Sequence, residues 1–210
     1  MNKIDDLPSV IHECAGHSEE DKQFFSEYFQ RNFYWMYGAG ADKSFAHRNY
    51  FVSDYDSNLN FVKMNPVVKR IWFKICEKIE ISPMTQVGRC YLLGQTAGMD
   101  GPWHPDNTED ANVRTIVYYP GFDPHHKHRG TEFDFGEDGG VQEAPYIQDH
   151  FSYFDASLMH RGLSTKSEDS MRVALVFQCV HLDVIKNFVF RDTCGNDERL
   201  DEIISKEIPR

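Results

Sequence analysis

The hydrophobic period of this 210-residue chain changes once, near Thr85, and that change limits what the chain can fold into. Before it, apolar residues recur every three to four positions. Phe24, Phe25, Tyr28, Phe29 and Phe33 follow a capping-box pairing of Ser18 with Asp21. Val68, Ile71, Trp72, Ile75 and Ile79 follow Asn65-Pro66, a cap with proline at the first helical position. The stretch between, Tyr34 to Tyr55, has no clear period and reads as aromatic packing or, second to that, as a lid or loop over a pocket. After Thr85 come short β-type runs: Gln86–Leu93, Val113–Tyr119, Thr131–Phe135, Tyr146–Asp155 and Arg172–Val180. Glycines at 121, 130, 136, 139, 140 and 162 punctuate them. The tail from Asn196 to Ile208 turns helical again, with Leu200, Ile203, Ile204 and Ile208 on one face. Helices, then strands, then a helix predict an α+β fold, a sandwich or jelly roll buttressed by helices at both ends. Residues 1–84 are expected to be mainly helical support, 85–182 the jelly-roll core, and 183–210 a C-terminal extension, all in one domain.

Composition narrows the class. With 40% hydrophobic residues the chain can bury one sizeable core, and 16 Phe with 10 Tyr argue against disorder. A formal charge of −11 disfavours non-specific nucleic-acid binding, because nothing offsets phosphate repulsion. The five cysteines are odd in number, widely spaced and free of any CxxC, so neither a disulfide framework nor a thiolate zinc site is expected. The first residues, MNKIDDLPSVIHE, lack the apolar core of a signal peptide, and no apolar run approaches the roughly 18 residues of a membrane span. These features predict a soluble, cytoplasmic protein.

Chemistry concentrates in the strand-rich half. His104 and Asp106 flank one proline, so on an extended segment both side chains face one way and reach one cation. His160 stands 54 residues beyond Asp106 and Arg172 another 12 beyond that. Two imidazoles and one carboxylate are the ligands of the facial triad that holds non-haem Fe(II) with open positions. A glycine-rich turn (Gly94, Gly98, Gly101) leads into the pair. Arg172 opens the apolar run Arg-Val-Ala-Leu-Val-Phe, where alternation puts it on one face with Ala174 and Val176. A guanidinium buried there needs a carboxylate, either a protein acid or the far end of a dicarboxylic ligand. His125, His126 and His128 lie in a polar, turn-rich stretch and read as a solvated loop.

The HxD pair, the distant His and the following Arg resemble the Fe(II)- and 2-oxoglutarate-dependent dioxygenases. The order of strands resembles the prolyl-hydroxylase-like branch, including its small bacterial and phage-type members. The resemblance covers Gln86 to His181 and implies a double-stranded β-helix, the jelly roll, as the core. It implies Fe(II) on His104, Asp106 and His160, with the distal carboxylate of 2-oxoglutarate on Arg172 and Tyr119. Thr115 shares the face of Tyr119, and Tyr91 matches a tyrosine that contacts cosubstrate or substrate near the metal. Gly130-Thr131-Glu132-Phe133 is similar to a Gly-Gly-x-x-x-Phe strand of the family, with Arg129 in place of the first glycine. Trp103 and Arg161, each beside a metal ligand, are expected to line the substrate mouth. The implied reaction hydroxylates an unactivated C–H bond of a prolyl residue or a small molecule. It consumes dioxygen and 2-oxoglutarate, releases succinate and carbon dioxide, and can take ascorbate as reductant.

Two other classes share parts of this pattern. A cupin-like metalloenzyme would use the histidines without 2-oxoglutarate and would not need Arg172. A non-catalytic jelly-roll binding module would tolerate loss of Asp106. Halogenating relatives replace the metal carboxylate by a small residue, and Asp106 is present. Glu109, Asp110, Glu132 and Asp134 near the expected mouth suggest a cationic substrate or peptide. Substrate choice is expected to lie in Tyr34–Asn60 and in the 104–111 and 121–130 loops.

Overall fold

The computed structural model describes residues 10–31, 36–37, 51–59, 65–121 and 128–181. The expected C-terminal helix, together with His125 and His126, lies outside them. The described strands form two antiparallel sheets. The larger is built from β1 (Val10–Cys14), β2 (Met36–Tyr37), β3 (Phe51–Leu59), β4 (Val87–Gln95), β5 (Val113–Tyr118), β8 (His150–Asp155) and β10 (Arg172–His181). Its order is β1-β8-β5-β10-β4-β3-β2, which puts β10 at the centre. The smaller sheet comprises β6 (Thr131–Asp134), β7 (Val141–Ala144) and β9 (His160–Gly162), in the order β7-β6-β9.

Helices α1 (Glu19–Arg31) and α2 (Pro66–Lys78) form where the period of the sequence places them. The Ser18 hydroxyl accepts from the Asp21 amide, and the Asn65 side chain accepts from the Val67 amide, so both N-termini are capped. Their apolar faces cover one side of the large sheet. Phe25, Phe29, Val68, Ile71, Trp72 and Ile75 pack with Cys90, Leu92, Ile116, Phe151, Leu175 and Phe177 in one buried cluster. A second cluster lies between the sheets and includes Val117, Phe154, Ala174 and Val176 of the large sheet and Tyr119 just past β5, with Phe133 and Ala144 of the small one. Strand β10 serves both: Val173, Leu175 and Phe177 face the helices, while Arg172, Ala174 and Val176 face the small sheet.

The described part of the first 84 residues contributes three strands besides the two helices. Strand β1 pairs with β8 along the edge, and β3 adds to β4 with a register shift between Asp54 and Asp56. A short segment such as Val-Ile-His-Glu-Cys becomes a strand because β8 offers it an open edge, which no local period announces. Strands β7 and β9 are equally short, at four and three residues. The run Tyr146–Asp155, whose sequence allows a break, is a strand only from His150, since Asp149 sits at φ +63° and interrupts the extended path. His128 bridges to Thr165 and is half-buried, so it belongs to the packed body rather than to a solvated loop.

Candidate metal and anion site

A backbone bridge brings the two histidine segments together. His104 N donates to His160 O at 3.1 Å, and His160 N donates to His104 O at 3.0 Å. This isolated antiparallel pair sets the imidazoles side by side, ring centres 4.5 Å apart. The amides of Asp106 and Asn107 both donate to Ala156 O, at 2.8 and 2.9 Å, which anchors the HxD segment at the end of β8. One ligand atom from each of His104, Asp106 and His160 then falls within 4.8 Å of the others. No second such group of three occurs among the described residues.

The tautomers follow from the partners. His104 Nδ1 lies 2.9 Å from Pro102 O, and His160 Nδ1 lies 2.9 Å from Leu158 O. A carbonyl only accepts, so each Nδ1 carries the proton and each Nε2 presents its lone pair. Those Nε2 atoms sit 3.8 and 3.5 Å from Oδ1 and Oδ2 of Asp106. Burial disfavours the His160 imidazolium and pushes its pKa down, against the pull of Asp106 and with the repulsion of His104. Phe154, its ring 4.7 Å from that of His160, and Phe133 form an apolar wall behind it. Side-chain exposure is 37% at His104 but 2% at Asp106 and 6% at His160, so the site opens on the His104 side.

Both oxygens of Asp106 have a fixed donor. Thr115 Oγ1 donates to Oδ2 at 2.6 Å, and Gln178 Nε2 donates to Oδ1. The Thr115 hydroxyl therefore points at the metal ligand rather than at the anion end of the pocket. Gln178 escaped the sequence reading, although the alternation of Arg172, Ala174 and Val176, extended by one step, reaches it.

The same pocket runs from the triad to Arg172, past Val117, Thr131, Ala174 and Val176, and encloses about 370 Å³ including space open to solvent. Arg172 is 1% exposed. Its Nη1 donates to Gln95 Oε1 at 2.6 Å, its Nε to Arg129 O at 2.8 Å, and its Nη2 to Gly130 O at 3.1 Å. Among the described residues no carboxylate lies within ion-pair distance of it. The donor set and this cation, unpaired with any described carboxylate, fit a divalent metal at one end and an anionic ligand group at the other.

The remaining expected residues fall around this axis. Tyr91 lines the pocket beneath the Arg89 guanidinium, 4.5 Å from its ring centre. Tyr119 is fully buried, with its hydroxyl 2.8 Å from Thr131 Oγ1, which in turn sits 3.4 Å from Arg172 Nη2. Tyr119 thus reaches the pocket through Thr131. Trp103 and Arg161 lie together outside the pocket lining, the guanidinium 4.6 Å from the indole centre. Glu132 takes two bonds of 2.7 Å from Arg161 and a longer one from Arg129, so it is not free to attract a cationic substrate.

No protein-family model matches the chain, and no curated protein is similar to it in sequence. Solved structures are similar in three dimensions. A prolyl-4-hydroxylase from Pseudomonas putida superposes with a TM-score of 0.56 at 13% identity, over 82% of this chain and 93% of that one. A Trichoplax adhaerens prolyl hydroxylase, solved with a hypoxia-inducible-factor peptide, gives 0.58 at 13% identity, over 82% and 84%. HygX from Streptomyces hygroscopicus, solved with nickel, 2-oxoglutarate and hygromycin B, gives 0.57 at 11%, over 83% of both chains. The chain has the fold of the 2-oxoglutarate and Fe(II) oxygenases. That is the fold implied by the resemblance that the HxD, His and Arg pattern carries.

Proposed function

We propose that this chain is an Fe(II)- and 2-oxoglutarate-dependent dioxygenase of the prolyl-hydroxylase-like branch, its two sheets forming the double-stranded β-helix. The observation that carries this reading is a single pocket with a two-histidine, one-carboxylate triad at one end and, at the other, a buried Arg172 with no carboxylate partner among the described residues. His104 Nε2, Asp106 and His160 Nε2 would hold the metal, and Arg172 would bind the distal carboxylate of the cosubstrate. With iron, 2-oxoglutarate and dioxygen bound, the centre would supply the oxidation that turns an unactivated C–H bond into an alcohol, releasing succinate and carbon dioxide.

The protein's own part is to bind, orient and exclude water. Thr115 and Gln178 orient the Asp106 carboxylate, and the carbonyls of Pro102 and Leu158 accept from the two Nδ1–H groups and turn both Nε2 atoms toward it. Phe133, Phe154, Val117 and Val176 keep the inner end dry. The buried Arg172, without a carboxylate partner among the described residues, favours this reading over a cupin-like enzyme or a binding module, neither of which calls for it. The substrate is a prolyl residue in a peptide or a small molecule, and proteins solved with each kind are among the similar structures.

The test is succinate formation from 2-oxoglutarate by purified protein with Fe(II) and ascorbate. Iron-dependent turnover should vanish in Asp106→Ala and weaken in Arg172→Ala. Absence of turnover, together with absence of anaerobic Fe(II) and 2-oxoglutarate binding, would overturn the assignment.

A further inference from the structure

Gln95 ends β4, is fully buried, and touches the turn before His104, strand β9 and Arg172 of β10. Its Nε2 donates to Met99 O at 2.7 Å and to Gly162 O at 3.0 Å. Two carbonyl acceptors fix the orientation of the amide, so Oε1 must face Arg172, where it accepts from Nη1 at 2.6 Å. Met99 lies in the turn that leads to His104, and Gly162 lies two residues beyond His160 on β9. Gly101 N also donates to Gly162 O, at 2.8 Å, closing the same junction. The packing is tight: a Cβ added at Gly162 would come within 2.9 Å of Gln95 Oε1 and 3.5 Å of Arg172 Nη1.

Charge matters as much as contact. Among the described residues, the oxygens that hold Arg172 (Gln95 Oε1, Arg129 O, Gly130 O and Thr131 Oγ1) all belong to neutral groups. They orient the guanidinium without cancelling its charge, whereas a glutamate at position 95 would do both.

We propose that Gln95 is the positioning residue that presets Arg172 for a ligand carboxylate. It holds the guanidinium with a neutral acceptor and tethers it to the two backbone segments that carry the metal histidines. This inference rests on the reading of the pocket as a 2-oxoglutarate site. Its consequence is that position 95 sets the preference for a dicarboxylic over a monocarboxylic 2-oxo acid.

The experiment compares the natural chain with Gln95→Glu and Gln95→Met, loaded with Zn(II) so that no turnover intervenes. Binding of Zn(II), of 2-oxoglutarate, and of 2-oxobutyrate, which can chelate a metal but has no distal carboxylate, is measured by calorimetry. Zn(II) and 2-oxobutyrate affinities should stay within about threefold in both variants. Affinity for 2-oxoglutarate should fall about tenfold or more in Gln95→Glu, and by a smaller but clear factor in Gln95→Met. Native-like 2-oxoglutarate binding in Gln95→Met overturns the proposal, even if Gln95→Glu does not fold. Equal loss of both 2-oxo acids also overturns it, because that pattern marks a general structural role. Gln95→Met binding 2-oxoglutarate more weakly than Gln95→Glu would remove the argument from charge and overturn it too. Failure of the natural chain to bind 2-oxoglutarate at all would instead overturn the underlying reading, and this proposal with it.

Discussion

At Asp106 two neutral donors, the Thr115 hydroxyl and the Gln178 amide, each take one carboxylate oxygen and leave lone pairs for a cation. Such outer partners commonly change metal affinity by about 10–100-fold when removed. Thr115→Val, which keeps the shape and deletes the donor, should therefore weaken Zn(II) binding by about tenfold while leaving the fold intact. Calorimetry with Zn(II) and a circular dichroism spectrum check this, and unchanged affinity would relegate Thr115 to packing. Gly162→Ala should weaken 2-oxoglutarate binding, since its new methyl meets the Gln95–Arg172 pair. A native dissociation constant for 2-oxoglutarate would show that the pair can shift without consequence. At this scale the ligands were legible, because the HxD spacing and the strand carrying Arg172 are local patterns. Gln95 and the Pro102 and Leu158 carbonyls were not, because their roles arise from contacts across 77 residues or from backbone atoms that no side-chain motif encodes.

Between elements, β1 is held to β8 by two titratable groups as well as by the ladder. His12 Nδ1 meets Ser152 Oγ at 3.0 Å, and burial with the nearby His150 pushes its pKa down to about 4. Asp149 is fully buried and accepts from His17 N, Gly16 N and Tyr118 Oη, with His17 Nδ1 only 2.5 Å away. Burial alone would raise its pKa, but the His17 hydrogen bond and charge, with the His17 amide and Tyr118, bring it down to about 2. Both groups thus bind protons more readily unfolded than folded. The stability tied to His12 is present above about pH 6.5 and is lost as pH falls through about 4. That tied to Asp149 is present above about pH 4 and is lost as pH falls through about 2. Thermal melts from pH 7 to 2 should fall across both windows, and His12→Asn should flatten the upper one. An unaltered slope in that variant would exclude His12 as its source. In the helical layer, Trp72→Ala should cost about 3–5 kcal/mol in denaturant unfolding, because the fully buried indole packs on Phe177. Helices α1 and α2 and strands β4, β5, β6, β8 and β10 were legible in the period of their sequences, whereas β3, with nine residues, was not. Strands β1, β7 and β9 have three to five residues and exist through their partners, so their sequences alone carry too little period to mark them.

For the molecule as a whole, metal and cosubstrate should act as folding ligands. A ligand at 100 times its dissociation constant stabilises the native state by about 2.7 kcal/mol. Zn(II) should raise the melting temperature, 2-oxoglutarate should raise it further, and a chelator should reverse both. Asp106→Ala should show neither shift, and a shift that persists there would place the cation elsewhere. Strand β10 sits at the centre of the large sheet, paired on both flanks, with Arg172 facing the pocket and Val173 facing the helices. Its alternation means that a single-residue insertion or deletion would exchange the two faces, turning the guanidinium into the oily layer and a valine toward the pocket. Such a strand tolerates substitution but not a change of length, whereas the chain can be lengthened freely at its surface turns. Diversity in descendants of this sequence should therefore accumulate as inserted loops, with the distance from Arg172 to Phe177 kept to the residue.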